Sequence, residues 1–345
     1  MKHAATKRTA LALASKLSRA KERRKLGPLS ANLVKPYTVI LYRRACKWFF
    51  ILLEAQQVVL PDHVWSFDLV VCSAIETAWC EGEARSLIGN LLSGLELFAP
   101  VLRGQLRGGW RLWRAWGLKE LPCRAPPLTL EAVLALCFYM LHWDMPDCAI
   151  LTLLAFNRFL RTTEYLTLTG SQMHFSHSNT QVSIQLPHTK SHRGVEGVHV
   201  SDRSLVRLLF QLSSTKLGTH GSLLNMSAAN YRKVFDAACR AAGLDNSFKP
   251  YSLRRGGATH HFKAFGDMSR TMEIGRWSEV RTARIYINTA LLELTSIQKL
   301  QTSTIQSAAK AALPMFAAWL HGKASKCNVE TAAVPALTCD YAVGF

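Results

Sequence analysis

Acidic side chains are scarce in this sequence. Asp and Glu together number 23 among 345 residues, whereas Lys and Arg number 42, so the net charge is +19. A surplus of positive charge this large attracts polyanions. The composition therefore predicts a nucleic acid or an acidic membrane surface as the partner.

Long apolar runs are also missing. The longest candidate, residues 132–156, is interrupted by Asp144, Pro146 and Asp147, whereas a membrane-spanning helix needs about 20 consecutive apolar residues. We therefore expect no membrane segment and assign this stretch to core helices. The hydrophobic content of 49% is high enough for folded cores, which excludes a wholly disordered chain.

Paired cysteines are missing as well. The nine cysteines are scattered from Cys46 to Cys339, with no Cys-x-x-Cys pair and no histidines at zinc spacing. An odd, scattered set is typical of buried thiols in a reducing compartment rather than of a disulfide framework. We accordingly expect free cysteines.

The N-terminal stretch, residues 1–28, is strongly basic. Within residues 1–27, nine Lys or Arg side chains stand against one acid, Glu22, and there is no apolar run of a secretory signal. We expect a flexible basic arm that lies on DNA. A nuclear-import patch at residues 21–25 and an organelle transit peptide are alternatives that this composition leaves open.

Residues 29–121 are predicted to form a helical domain. Apolar residues recur there at helical spacing, which indicates roughly four helices. One of these is predicted over residues 85–98, with Leu87, Leu91 and Leu95 on one face.

Two sets of side chains in this domain carry further predictions. Three tryptophans at i, i+3, i+6 are typical of a core stripe rather than of a base-stacking platform: Trp110, Trp113 and Trp116. Four arginines at near-helical spacing are predicted to lie along a phosphate backbone, although a solvated basic face is the alternative: Arg103, Arg107, Arg111 and Arg114.

Residues 122–128 form the clearest linker, because closely spaced prolines disfavour helix. Thr129 is predicted to cap the helix that follows. Alternating apolar residues then predict strands over residues 173–175 and 182–186, and a third strand near residues 195–200. We therefore predict a mixed α and β domain over residues 129–322 and a mobile tail over residues 323–345.

The chemistry-bearing stretch is Lys249 to Asn288. Ser252 is predicted to be the N-cap of a helix that begins at Leu253, with Ala258, Phe262 and Phe265 on its apolar face. Arg254 then falls in the first turn, where free backbone N–H groups and the helix dipole favour an anion such as a phosphate.

The second half of this stretch carries two aromatic residues. Gly275 is predicted to end a short helix, Trp277 to lie in the turn that follows, and Tyr286 to lie on the next helix. Arginines, an indole donor and a tyrosine hydroxyl thus come from successive helix ends. Such an arrangement gathers phosphate ligands around a nucleophile.

The pattern resembles the catalytic domain of the tyrosine recombinase (phage integrase) family. That family has His-x-x-Arg, then a His or Trp, then the nucleophilic Tyr nine residues further on. Arg254, Trp277 and Tyr286 match this order and spacing. Two positions depart from it, because Tyr251 stands where the family has His and Arg276 precedes Trp277.

The resemblance implies a fold and further site residues. The fold is mostly α with a small β-sheet or hairpin, in two domains: a helical core-binding domain and an α+β catalytic domain. Arg161, buttressed by Glu164, matches the first arginine motif of the family. Lys190 matches the lysine on the β-hairpin, and Arg193 nearby is a candidate phosphate contact.

The resemblance also implies a reaction and its partners. Tyr286 would attack a DNA phosphate and form a 3′-phosphotyrosyl link, with no metal and no cofactor. Double-stranded DNA is the expected partner, with a dimer or tetramer assembling on it. The source would be a mobile element, and the location the nucleus in a eukaryote or otherwise the cytoplasm or nucleoid. A domesticated DNA-binding protein that no longer cuts is the alternative, and type IB topoisomerases share this chemistry.

Overall fold

A computed structural model describes residues 15–29, 33–120, 124–186, 196–215, 221–295 and 302–322. These residues divide into two compact units, one within Lys7–Arg124 and the other within Ala125–Phe345. The predicted mobile tail, residues 323–345, lies outside the described residues. No helix in the described part of the chain is long and apolar enough to cross a membrane.

The first unit is entirely helical in its described residues. Its helices are α1 (Lys16–Leu26), α2 (Pro36–Ala55), α3 (Val64–Cys80), α4 (Arg85–Phe98) and α5 (Arg107–Lys119). The four helices α2 to α5 agree with the number predicted, and α4 has the predicted bounds. Part of the predicted basic arm is helical, because Ser15 accepts a hydrogen bond from the Ser18 N–H and caps a run of good helix formers in α1.

The tryptophan stripe of α5 belongs to the core of this unit, as predicted. Trp116 is buried, while Trp110 and Trp113 pack against the same core. The Trp110 indole N–H donates to a carboxylate oxygen of Glu96 at 2.8 Å, so burial leaves that donor satisfied. Gly94 inside α4 has a packing reason, since a Cβ there would lie 3.0 Å from the Tyr42 side chain.

The second unit combines ten helices with one sheet in its described residues. The helices are α6 (Leu130–His142), α7 (Pro146–Asn157), α8 (Thr162–Leu166), α9 (Arg203–Ser214), α10 (Ala228–Ala241), α11 (Tyr251–Phe265), α12 (Met268–Gly275), α13 (Val280–Tyr286), α14 (Thr289–Thr295) and α15 (Ser303–Leu320). Thr129 caps α6 as predicted, because its side chain accepts from the Ala132 N–H.

The sheet is a three-stranded antiparallel meander in the order β1 (Met173–Phe175), β2 (Val182–Leu186) and β3 (Glu196–Val200). Ile184 pairs with Met173 on one side and with Val198 on the other. All three side chains are buried, which explains the alternation in the sequence. The predicted fold class, mostly α with a small sheet, is confirmed.

The core of the second unit is built on α7, whose residues after Pro146 are all buried. Helix α15 packs on α6 and carries Phe316 into this core. Packing within the chain therefore accounts for the burial of Phe316. Pro314 lies inside α15, which continues through it to Leu320.

Candidate active site

Helix α11 begins at Tyr251, with Pro250 as its N-cap. The predicted N-cap role of Ser252 is therefore wrong: this residue lies in the first turn, is fully buried, and accepts a hydrogen bond from the Lys249 N–H at 3.1 Å. The fixed φ of proline suits the start of a helix, and Pro250 already has helical dihedral angles. The helix consequently starts two residues before the predicted position.

Two glycines let α11 lie directly against the backbone of other segments. A Cβ on Gly256 would stand 2.2 Å from the Leu128 carbonyl oxygen, and one on Gly257 would stand 1.9 Å from that of Phe156. No real side chain tolerates such distances, so only glycine fits at either position. This close packing carries Arg254 into the interior of the unit.

Arg254 is fully buried, and main-chain carbonyls hold its guanidinium group. Nη1 donates to the carbonyl oxygen of Phe159, and Nη2 donates to that of Gly275 at 2.8 Å. Burial, and next the charges of Arg161 and Arg276, lower the pKa of Arg254 to about 10. The guanidinium group therefore remains cationic at neutral pH. Among the described residues, no carboxylate forms an ion pair with it.

Three aromatic rings stack beside this guanidinium. The ring centroids of Trp277 and Tyr286 are 4.6 Å apart, and Phe159 stacks on Trp277 at 6.4 Å. The Arg254 Cζ lies 4.8 Å from the Trp277 ring centroid and 5.1 Å from that of Tyr286, which is within the range of a cation–π contact. Gly275 makes this stacking possible, because a Cβ there would stand 2.2 Å from the Trp277 ring.

Arg161 stands at the N-terminus of α8 and pairs with Glu164. Its Nη1 lies 2.6 Å from Oε1 of Glu164, and its backbone N–H donates to Oε2 at 2.8 Å. The Glu164 side chain is 2% exposed, whereas that of Arg161 is 24% exposed. The buried carboxylate therefore anchors an arginine that still reaches solvent.

Tyr251 and Tyr286 form a pair of phenols, with ring centroids 5.8 Å apart. Burial raises the pKa of Tyr286, but a hydrogen bond with Tyr251 and the charges of Arg254 and Arg161 outweigh burial and bring its pKa below the ordinary value. Burial, together with the same hydrogen bond, raises the pKa of Tyr251. The two phenols are therefore shifted in opposite directions, and Tyr286 is the more acidic of the pair.

The sequence analysis gave no site role to two residues of the cluster, Thr259 and Arg276. Thr259 donates from Oγ1 to the main-chain carbonyl oxygen of Tyr286 at 3.1 Å and so ties the end of α13 to α11. Arg276 lies buried between Glu164 and Glu196, at 2.6 Å and 3.1 Å. For Thr259 no local signal exists, whereas the position of Arg276 beside Trp277 had already marked it as unusual.

The structure brings six of the predicted site residues into one cluster: Arg161, Glu164, Tyr251, Arg254, Trp277 and Tyr286. Lys190 and Arg193 lie outside the described residues, in the connection between β2 and β3. The four arginines Arg103, Arg107, Arg111 and Arg114 are exposed and belong to the first unit.

Part of this chain, including the cluster, is similar to known proteins. Residues 142–291 match the model of the phage integrase family. The integrase of the Tn1549 transposon, in complex with transposon right end DNA, is similar in structure with a TM-score of 0.53 and 13% identity, over 82% of this chain and 98% of that chain. A lambda integrase dimer bound to a COC′ core site is similar with a TM-score of 0.52 and 15% identity, over 80% and 78%. A search of the curated proteins found no match.

Residues 142–291, which include Arg161, Arg254, Trp277 and Tyr286, thus match the phage integrase family model, and the fold of the chain is similar to that of the two integrases.

Proposed function

We propose that this protein breaks and rejoins DNA strands through a covalent link to Tyr286. The observation that carries the proposal is the position of Tyr286. Its ring stacks on Trp277, lies 5.1 Å from the Arg254 guanidinium, and has its centroid 5.8 Å from that of Tyr251. A phenol with a pKa of about 10 is a weak nucleophile at neutral pH, and these neighbours favour its phenolate.

The reaction balances without an external energy source. The Tyr286 oxygen attacks the scissile phosphorus, the bond from phosphorus to the 5′ oxygen breaks, and a 3′-phosphotyrosyl ester and a free 5′ hydroxyl result. Rejoining is the reverse attack by a 5′ hydroxyl. Since the ester conserves the energy of the broken bond, no ATP is consumed.

The arginines supply the stabilisation of charge in this scheme. Negative charge builds on the non-bridging phosphate oxygens in the transition state, and fixed cations in a water-poor site stabilise it strongly. Arg254 is fixed by two carbonyls and Arg161 by Glu164. Lys190 is proposed to protonate the 5′ oxygen as it leaves, and it lies outside the described residues.

Tyr251 takes a role that differs from that of the histidine it replaces. Its hydroxyl bonds the nucleophile itself, so we assign to it the stabilisation of the Tyr286 phenolate. A phenol also remains neutral at physiological pH, where a histidine would titrate.

Replacing Tyr251 with Phe should therefore move the pH profile of cleavage. The fraction of Tyr286 phenolate rises with pH, and loss of the Tyr251 donor raises the pKa of Tyr286. The rate should fall at neutral pH, recover as the pH rises, and reach half of its maximum at a higher pH than in the parent. Single-turnover cleavage between pH 6 and pH 10 on a nicked substrate measures this.

Tyr251→His is the matched variant, because imidazole restores a hydrogen-bonding group at this position. Its rate at neutral pH should lie at or above that of the parent. A folded Tyr251→His protein without any cleavage would show that this position does not correspond to the family's histidine. A parallel loss of rate at every pH in Tyr251→Phe would argue against action on the nucleophile.

DNA binding is proposed to include the arginines of the first unit. Each neutralised phosphate contributes about 0.9 to the slope of log K against log salt. The exposed residues Arg103, Arg107 and Arg111, changed together to Gln, should make this slope shallower by up to about 2.7. Fluorescence anisotropy of a labelled duplex at several salt concentrations measures it.

A charge-matched control is available on α2. Arg43, Arg44 and Lys47 are exposed there, and their joint change to Gln removes the same charge from the same unit. If both triple variants alter the slope equally, only net charge matters and the assignment of a contact surface is wrong.

More than one copy is proposed to act on DNA. Each chain supplies one Tyr286 and can cut one strand, whereas exchange between two duplexes requires cuts in several strands. A dimer or tetramer assembled on DNA meets this requirement.

A further inference from the structure

Arg276 has a backbone conformation that arginine rarely adopts. It ends α12 with φ 55° and ψ 47°, in the left-handed region that disfavours a Cβ. Glycine would take this conformation with less strain. Nevertheless a long cationic side chain stands here, and only 9% of it is exposed. Its contacts must therefore offset both the strain and the loss of hydration.

The contacts of Arg276 connect three segments that are distant in sequence. Nη2 lies 2.6 Å from Oε2 of Glu164, and Nε lies 3.1 Å from Oε2 of Glu196, the first residue of β3. Glu164 in turn holds Arg161 through its other oxygen. A continuous ion-pair chain thus runs from β3 through the turn before Trp277 to the N-terminus of α8.

Sharing of Glu164 has an electrostatic consequence for Arg161. With only 2% of its side chain exposed, Glu164 must find its compensating charge within the protein. Arg276 supplies part of that charge at Oε2, where the Arg161 backbone N–H also donates, while the Arg161 guanidinium bonds Oε1 through Nη1 alone. Without Arg276, Arg161 would be the sole cation bonded to Glu164 and would turn both of its Nη groups towards the carboxylate.

We propose that Arg276 is a positioning residue for strand cleavage: by sharing Glu164 it keeps donors of Arg161 free for the scissile phosphate, and it anchors the turn that presents Trp277 to Tyr286. This assignment rests on the proposed function. It adds a third arginine, one that acts through Glu164, to the two that are proposed to touch the phosphate.

Arg276→Gly is the sharpest test, since glycine relieves the backbone strain and removes only the side-chain contacts. By analogy with the outer-shell partners of metal ligands, whose loss costs roughly 10–100-fold, single-turnover cleavage should fall by a similar factor, while DNA affinity changes less than about twofold. The cleavage rate of Arg276→Lys should fall almost as far, because a single ammonium group cannot bond both carboxylates at once. The cleavage rate of Glu196→Gln should fall less, since Arg276 retains its ion pair with Glu164.

A double-mutant cycle with Glu164→Gln identifies the route. If Arg276 acts through Glu164, the double variant should cleave about as slowly as the slower single variant. If the fold-losses in rate of the two single variants multiply in the double variant, Arg276 acts independently of Glu164. That result would overturn the proposal in favour of a direct phosphate contact. A lower melting temperature with an unchanged rate for the folded protein would also overturn it, since the role would then be structural.

Failure of the proposed function has a separate signature, which is a parent protein without any covalent adduct. In that case the same double-mutant cycle is applied to the melting temperatures of the variants, which can be measured without any cleavage. Non-additive shifts of the melting temperature for Arg276→Gly and Glu164→Gln would support control of Glu164 by Arg276, and additive shifts would overturn it.

Discussion

Replacing Tyr286 with phenylalanine should abolish the covalent protein–DNA adduct while folding and DNA binding remain those of the parent. Phenylalanine keeps the ring that stacks on Trp277 at 4.6 Å and loses only the oxygen that would attack phosphorus. The hydrogen bond from Thr259 goes to the main-chain carbonyl of residue 286 and therefore survives. Binding depends on the arginines and on the basic surface, which the change leaves intact.

The measurement is adduct formation on a nicked suicide substrate, followed by denaturing gel electrophoresis. A nick close to the scissile phosphate lets the short product strand diffuse away, so the adduct accumulates. Tyr37→Phe is the matched control, because Tyr37 is 70% exposed and lies in the first unit. It should form the adduct as the parent does.

Two outcomes would contradict this assignment. An adduct that persists in Tyr286→Phe would place the nucleophile elsewhere, and Tyr251, whose ring centroid is 5.8 Å away, would be the next residue to replace. A parent protein that forms no adduct on any candidate end sequence would indicate a DNA-binding protein that has lost cleavage.

Arg254→Lys should lower the cleavage rate by about 10²–10³-fold, the usual effect of losing one fixed donor to a developing oxyanion. Lysine keeps the charge, but a single ammonium group cannot reach both the Phe159 and Gly275 carbonyls and a phosphate. Alanine is a poorer test, because each buried carbonyl left without a donor costs about 1–3 kcal/mol. An alanine variant therefore risks unfolding.

Arg255→Lys provides a control with similar burial. Arg255 is 3% exposed and donates to the Ala125 carbonyl oxygen, so its replacement also weakens a buried main-chain contact. Both variants should lower the melting temperature, but only Arg254→Lys should lose cleavage under conditions where both are folded. Equal losses of cleavage by the two folded variants would show that loss of a buried arginine contact in general, and not of a phosphate donor, explains the effect of Arg254→Lys.

Several features of the fold were predicted from local signals. Thr129 marks the start of α6 because a threonine hydroxyl accepts from the free N–H groups of a first helical turn. Alternation along residues 182–186 indicates a half-buried strand, since successive side chains point to opposite faces. The start of α11 was predicted two residues too late because serine is a common cap and Pro250 is a competing start signal.

By itself, the sequence determined the class of fold, the helices and strands, and the order of the residues proposed to act on DNA, because caps, periodicity and motif spacing are local properties of the chain. Only the tertiary structure decided how these residues meet. Arg254 bonds carbonyls 95 and 21 positions away, the ring of Tyr251 lies 5.8 Å from that of Tyr286, and Arg276 reaches Glu164 across 112 positions. Such contacts depend on which helices and strands pack together, and no local pattern encodes that choice.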